Sequence, residues 1–385
     1  MKIGFLFPVI AEDEELLKKG EWGQYFLFDL LSKIVEAGNE IVLITLNQNK
    51  TEDSVFQFNE AIKVYSLKPS FSTTISSFFG FTYETKRVEN ILKQENCDVI
   101  HAHWCYEYAQ AGLNCDKSKT VITLHDWPDA VGLLLGDIVW KNRRKFGNRV
   151  IKQSNILIAV SEIIKEKCEK KFVGKDVRLI PNFIDVHENS KIIKNEDFTI
   201  ISVNNGFNDL KNTRTLMKAF SIVKRTCPNA KLLLCGWEHE AGGKAETWAK
   251  ENGMSEGISF LGFKNRNEIM ELIEKSSVLV STSVEESFGL TLIEAMSVKT
   301  YVIGGEKSGA VPWVLGYGEY GSLIDVMNEE NIAKELLSVK EDPVGTTVVV
   351  EKAFNYVRET FSTDVIAKKH LELYDEIYKK SRGII

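Results

Sequence analysis

Val278-Leu279-Val280-Ser281-Thr282, followed by Glu285-Glu286-Ser287-Phe288-Gly289-Leu290-Thr291-Leu292-Ile293-Glu294-Ala295-Met296, is the stretch whose reading decides the fold. The apolar run 278–282 predicts a buried strand, and 290–296 predicts a helix. The short loop between them carries Glu286 and Gly289. The free N–H groups of a helix start can hold a phosphate. Glu286 and Glu294, separated by seven residues, can accept hydrogen bonds from sugar hydroxyls. One element could therefore hold a nucleotide-sugar at its hexose, its diphosphate and its ribose. The plain alternative is two solvated surface glutamates. Glu294 argues against it, because Leu290, Ile293, Ala295 and Met296 surround it with apolar side chains, and a carboxylate among such neighbours needs a partner.

The same alternation runs outward in both directions. Strands are expected at 3–7, 41–46, 61–65, 99–101, 121–124, 156–160 and 178–180, with helices between them, among them 25–37 and 86–94. The polar stretch 187–197 reads as a linker. The pattern then restarts, with strands at 198–203, 231–235, 258–261, 278–281 and 300–303, a helix at 212–225 and a long closing helix at 363–378. Strand and helix in turn mean βαβ units and parallel sheets. The expected organisation is two Rossmann-like α/β domains. One spans 1–188 and the other 189–362, and the last helix, about 363–385, packs back on the first. The cleft between two such sheets is a natural ligand site.

Bulk properties narrow the classes. A chain of 385 residues is long for a single core. Its 44% hydrophobic and 26% charged composition is that of a soluble globular protein. A net charge of -6 argues against nucleic acid as the main partner. Cys97, Cys105, Cys115, Cys168, Cys227 and Cys235 show no Cys-x-x-Cys spacing, so a reducing, cytoplasmic setting is expected. The opening Met-Lys-Ile-Gly-Phe-Leu-Phe-Pro reads as a first strand, too short for a signal peptide. His101/His103, His125 and His187/His239 lack ligand-rich neighbours, so neither a metal site nor a Ser-His-Asp triad is expected.

Glu-x7-Glu around Phe-Gly-Leu, followed by Ala-Met, resembles the retaining glycosyltransferases of family four, which have the GT-B fold of two facing Rossmann-like domains. Other segments agree in order. They are Asp98-Val99-Ile100-His101-Ala102-His103, Thr123-Leu124-His125-Asp126, Ala159-Val160-Ser161-Glu162, Ile180-Pro181-Asn182-Phe183-Ile184-Asp185, Leu210-Lys211-Asn212 and Ser308-Gly309-Ala310-Val311-Pro312. Together they cover nearly the whole chain.

The resemblance implies roles. Glu286 would bind the donor sugar's hydroxyls and Glu294 the ribose. Backbone N–H groups at Phe288, Gly289 and Leu290 would face sugar or phosphate, and Lys211 would pair with the diphosphate. His125 would contact the donor near the reacting carbon or position the acceptor, with His103, Asp126 and Gly23 on the acceptor or cleft side. The substrate would be a nucleotide-sugar of UDP or GDP, with no cofactor and no metal. The acceptor would be a glycan, a lipid-linked molecule or another hydroxyl compound.

Three positions depart from the family pattern. Asn205, on the donor side, stands where an arginine is usual, six residues before Lys211. Gly20-Glu21-Trp22-Gly23-Gln24 replaces a glycine doublet, and Trp313 replaces a glutamate. A catalytically weak sugar-nucleotide-binding subunit that regulates a partner enzyme is the competing reading. The missing Gly-x-Gly-x-x-Gly after the first strand argues against a dehydrogenase. The basic residues of 141–152 read first as a solvated helix face, and second as a peripheral contact with an anionic inner-membrane surface.

Overall fold

The computed structural model describes residues 1–8, 25–47, 51–130, 137–186 and 197–385. They form two compact units, Met1–Pro181 with Thr363–Ile385, and Asn182–Ser362. Chain contacts end the first unit at Pro181, seven residues before the boundary expected from composition. The polar stretch was the only sequence mark of a border. The backbone leaves the first unit earlier, because the Ile184 N–H donates to Phe361 O at 3.0 Å and Ile184 bridges Ser362.

The first unit is built on one sheet of β1 (Lys2–Leu6), β2 (Glu40–Leu46), β3 (Ser54–Asn59), β4 (Ile62–Leu67), β5 (Val99–His103), β6 (Thr120–Leu124), β7 (Ile156–Ala159) and β8 (Asp176–Leu179). Their order is β3-β4-β2-β1-β5-β6-β7-β8, parallel throughout except for β3 against β4. Strands β1, β2, β5 and β6 are nearly all buried, as sheets covered by helices on both faces require. Strand β3 was not expected from sequence. Ser-Val-Phe-Gln-Phe-Asn alternates with period two, and Glu60-Ala61 turns it back on β4, a hairpin signal that the parallel pattern obscured. The closing helix Thr363–Ser381 belongs to this unit, with His370, Tyr374 and Ile377 buried. Arg178 and Glu376 pair at 3.0 Å along it.

The second unit has β9 (Thr199–Val203), β10 (Lys231–Cys235), β11 (Ile258–Gly262), β12 (Val278–Val280), β13 (Tyr301–Gly305) and β14 (Ser322–Ile324), in the order β11-β10-β9-β12-β13-β14, all parallel. The short, half-buried edge strand β14 was also unexpected. Helix Thr213–Thr226 turns Leu216, Met217, Phe220 and Val223 inward against Ile332 and Leu336 of helix Glu329–Glu341. Burying each such side chain is worth about 1.5–3 kcal/mol.

Each sheet has one strand from which the chain departs to both sides. In the first unit β1 lies between β2 and β5, and in the second β9 lies between β10 and β12. Ligands of open α/β sheets sit beyond the strand ends at that switch point. The sequence-predicted residues gather there: His103 ends β5 and His125 follows β6, while Lys211 follows β9 and Glu286 follows β12.

Candidate functional site

In the second unit, the loops after β9 and β12 are tied together by backbone. Val284 N–H donates to Leu210 O at 2.8 Å, and the Thr282 hydroxyl to Lys211 O at 3.0 Å. The lacing brings Lys211 Nζ within 2.7 Å of Glu286 Oε1. A third loop, after β13, braces Glu286 from behind. Ala310 N–H donates to Glu286 O at 2.8 Å, and Gly309 lies so close that a Cβ there would meet that oxygen at 2.3 Å. With φ +57 as well, only glycine fits without strain.

Past Glu286 the chain turns through Gly289, at φ +90, into helix Leu290–Ser297. Leu292 N–H folds back on Gly289 O at 3.0 Å, the N–H groups before it have no intrahelical acceptor, and the N-cap Gly289 offers no side chain to cap them. Glu294 is 2% exposed on this helix. The Phe288 ring is buried in a cluster with Trp313 and Phe361, at centroid distances of 6.2 and 5.5 Å. It anchors the turn, and Trp313 serves as packing rather than as a charged group. A cation, a carboxylate and free N–H groups on one sheet edge can together hold an anion and a hydroxyl.

Asn205 is bonded to a different loop. Its Oδ1 accepts from the Trp237 N–H at 3.2 Å, and the Gly206 N–H donates to Trp237 O at 3.0 Å. Arg214, the other cation considered near Lys211, pairs with Asp209 at 2.8 Å and lies over the Phe207 ring. The loop held by Asn205 presents Trp237 stacked on Phe263, both exposed, past the ends of β10 and β11. The sequence reading missed this aromatic pair; its only linear signal is a bulky ring within two residues of each strand's end.

In the first unit, His103 Nδ1 and His125 Nε2 are 2.7 Å apart. Trp104, held at φ +64 by its N–H bond to Thr123 O, lays its ring 4.5 Å from His125. Behind them His101 is bonded to Tyr374 Oη at 2.6 Å and Thr123 Oγ1 at 2.7 Å. Burial, with the neighbouring histidines adding, pushes His101 and His103 well below the ordinary histidine value, and burial takes His370 down to about 4. The hydrogen bond between His103 Nδ1 and His125 Nε2 couples the tautomers of the two rings, since one nitrogen must donate and the other accept.

Asp126 accepts from the Tyr106 hydroxyl at 3.3 Å, and burial pushes its carboxyl up to about 6. It lines a cavity of about 390 Å³ together with Trp104, Tyr106 and Arg143. The basic helix Ile138–Gln153 is therefore not uniformly solvated, because Arg143 turns inward while Lys141, Lys145, Arg149 and Lys152 stay exposed. Gly23 lies outside the described residues. Among the described residues, no group of three His, Cys, Asp or Glu side chains could hold a metal ion, and no helix is long and apolar enough to cross a membrane.

Two family models match the chain, Glycosyltransferase Family 4 over residues 23–188 and Glycosyl transferases group 1 over residues 184–356. N-acetyl-alpha-D-glucosaminyl L-malate synthase of Bacillus anthracis is 25% identical over 377 residues, covering 92% of this chain and 94% of that protein. Among solved structures, sucrose-phosphate synthase of Thermosynechococcus elongatus superposes with a TM-score of 0.81 at 16% identity, over 99% of this chain and all of the other. Anabaena HepE in complex with UDP-glucose superposes with a TM-score of 0.71 at 17% identity, over 98% of this chain and 100% of HepE. These likenesses extend across both α/β units and establish the GT-B fold.

Proposed function

Because this chain belongs to the group 1 glycosyltransferases, we propose that it moves a hexose-type sugar from a nucleotide-sugar to a hydroxyl acceptor, retaining configuration at the transferred carbon and using no metal. The observation that carries the reading is the Lys211–Glu286 pair beside the uncapped helix start at Gly289. HepE, solved with UDP-glucose, supports a UDP-sugar as donor. The Bacillus anthracis relative, whose name pairs an N-acetyl-alpha-D-glucosaminyl group with L-malate, supports a role in glycoconjugate synthesis.

In this reading the donor enters by exchanging partners. Its diphosphate takes Lys211 and the N–H groups of Phe288, Gly289 and Leu290. A sugar hydroxyl takes Glu286, the ribose takes Glu294, and the base reaches the Trp237–Phe263 pair. The bond from the sugar carbon to phosphate oxygen breaks as the acceptor oxygen bonds on the same face, and the acceptor's proton passes to the departing phosphate. Charge builds on that phosphate, and the lysine and oriented N–H dipoles stabilise it. Glu286 is held by a cation, which suits hydrogen bonding better than attack on carbon. In the first unit, His125, its tautomer coupled to that of His103, and Asp126 serve the acceptor.

A peripheral membrane contact is part of the proposal. Phe78 and Phe79 are 64% and 56% exposed beside Tyr83, and they share a surface depression with Lys145 and Arg149. Exposed aromatics rimmed by cations suit an anionic lipid surface.

The deciding experiment incubates the purified protein with UDP- and GDP-sugars and follows melting temperature and nucleotide release. A shift with one nucleotide-sugar, and turnover that collapses in Glu286→Gln, is expected. Wild-type turnover in Glu286→Gln would overturn the assignment. Binding of UDP or GDP without hydrolysis or transfer to any acceptor fraction would instead support the regulatory subunit.

A further inference from the structure

The cavity of about 390 Å³ in the first unit has a lopsided lining. Phe71, Phe81, Trp104, Tyr106, Tyr108 and Trp140 make its walls aromatic. Three carboxyl side chains, Glu84, Glu107 and Asp126, share it with Arg143, and no other Lys or Arg stands among the described lining residues.

That one cation is already engaged. The Arg143 guanidinium lies 4.7, 5.0 and 5.6 Å from the ring centres of Tyr106, Phe81 and Trp140, and 3.9 Å from Glu107 Oε1. Caged by three ring faces and a carboxylate, it has little left for an anionic ligand. The carboxylates are in the opposite state. Glu84 is 3% exposed, and its Oε1 accepts from the Ser76 hydroxyl at 2.8 Å. Its Oε2, and likewise Glu107 Oε2, is buried and meets no protein donor among the described residues. A buried oxygen of this kind costs free energy until a donor arrives.

We propose that this cavity is the acceptor subsite, and that it selects a neutral, hydroxyl-rich ring: a sugar unit bearing neither carboxylate nor phosphate. The inference rests on the glycosyltransferase reading and adds the acceptor's class to it. The volume is in the range of small-molecule sites, about 300–1,000 Å³. Aromatic walls receive the C–H face of a sugar ring, and the carboxyl groups of the lining accept its hydroxyls. An anionic acceptor such as L-malate would set its charge against three carboxyl groups, so the site discriminates by repulsion as well as by contact.

Binding can be tested without transfer. Saturation-transfer NMR and tryptophan fluorescence, reporting on Trp104 and Trp140, are followed on the intact chain. The probes are methyl glycosides of glucose, galactose, mannose and N-acetylglucosamine, with L-malate, glucose 6-phosphate and glucosamine for comparison. At least one neutral glycoside is expected to bind saturably at millimolar concentration. Glu84→Gln, which keeps the shape of the side chain, should weaken it roughly tenfold or more, with the melting temperature confirming that the variant folds. Tighter binding of malate or the sugar phosphate overturns the proposal, as does a tenfold preference for cationic glucosamine or no glycoside binding at all. UDP binding is measured in the same samples. Its persistence when glycosides fail to bind sinks the acceptor class alone, whereas loss of both sinks the enzymatic reading too.

Discussion

Lys211 Nζ stands 2.7 Å from Glu286 Oε1, and each side chain is 21% exposed. The pair joins loops 75 residues apart, and each partner is the other's counter-ion until a donor replaces both. Lys211→Ala should lower kcat by about 10²–10³-fold, the usual loss when one donor to a developing anion is removed. Glu286→Gln should cost roughly 10–100-fold, the scale of a charge-assisted hydrogen bond. The double variant should lose less than the product of the two, because each single change strands the other residue. Steady-state kinetics on the four proteins gives the coupling, and strict multiplicativity would mean that the residues act independently.

Gly309 holds Glu286 in place through backbone alone. Gly309→Ala must push the added Cβ against Glu286 O at a φ that alanine avoids, and should cost about 1–3 kcal/mol of stability with transfer largely lost. Gly253→Ala is the control, since Gly253 has φ +67 but nothing within 4 Å of an added Cβ. Urea unfolding that shows equal costs for the two would remove the brace from the account.

Asn205 has a framework duty through Trp237. Asn205→Ala should loosen the Trp237–Phe263 stack and weaken nucleotide binding severalfold, and Trp237→Ala by more, since base stacking is worth about 1–3 kcal/mol. Nucleotide titrations check the order. Tighter binding in Trp237→Ala would show the pair to be unconnected with the base.

The first unit should lose stability as pH falls below about 6.5. His101, His103 and His370 have folded values below the unfolded one, so in this window the unfolded chain binds more protons. Each histidine kept neutral contributes up to about 1.4 kcal/mol per pH unit, present above the unfolded value and lost on acidification. Asp126, pushed up to about 6, opposes them, because there the folded chain binds the extra proton. Three groups against one leave a net loss on acidification. Melting curves from pH 7.5 to 5 should show it, and His370→Gln should flatten the slope.

Vesicles test the surface patch. Sedimentation with phosphatidylglycerol vesicles should exceed that with phosphatidylcholine. Lys145→Glu with Arg149→Glu should reduce it steeply, at about 1 kcal/mol per cation. Phe79→Ser should reduce binding to both lipids. Equal sedimentation of all proteins would leave the patch without a membrane role.

Much of the scaffold was legible because its signals are local. Buried runs such as Lys231–Cys235 announce strands, and the amphipathic spacing of Thr213–Thr226 announces a helix. The Glu286–Gly289–Leu290 turn is likewise written in consecutive residues. What stayed hidden depends on partners far along the chain. Arg143 read as one more surface cation, since nothing in 141–152 shows that Phe81 and Tyr106 fold around it. Strand β14 is three half-buried residues with no pattern of their own, recognisable only by pairing with β13.

The sequence alone determined the α/β class, the two-unit division and the residues proposed to hold the donor's sugar, diphosphate and ribose, but not the Trp237–Phe263 pair. Hydrophobic period and glycine placement act over a few residues and survive in a linear string. Only the tertiary structure decided which charges meet. It paired Lys211 with Glu286, set Gly309 behind that carboxylate, turned Asn205 toward Trp237 and left Glu84 Oε2 buried beside an aromatic wall. Electrostatic contacts at 2–4 Å depend on where separate strands end, and that is fixed by packing across each sheet rather than by neighbours in the chain.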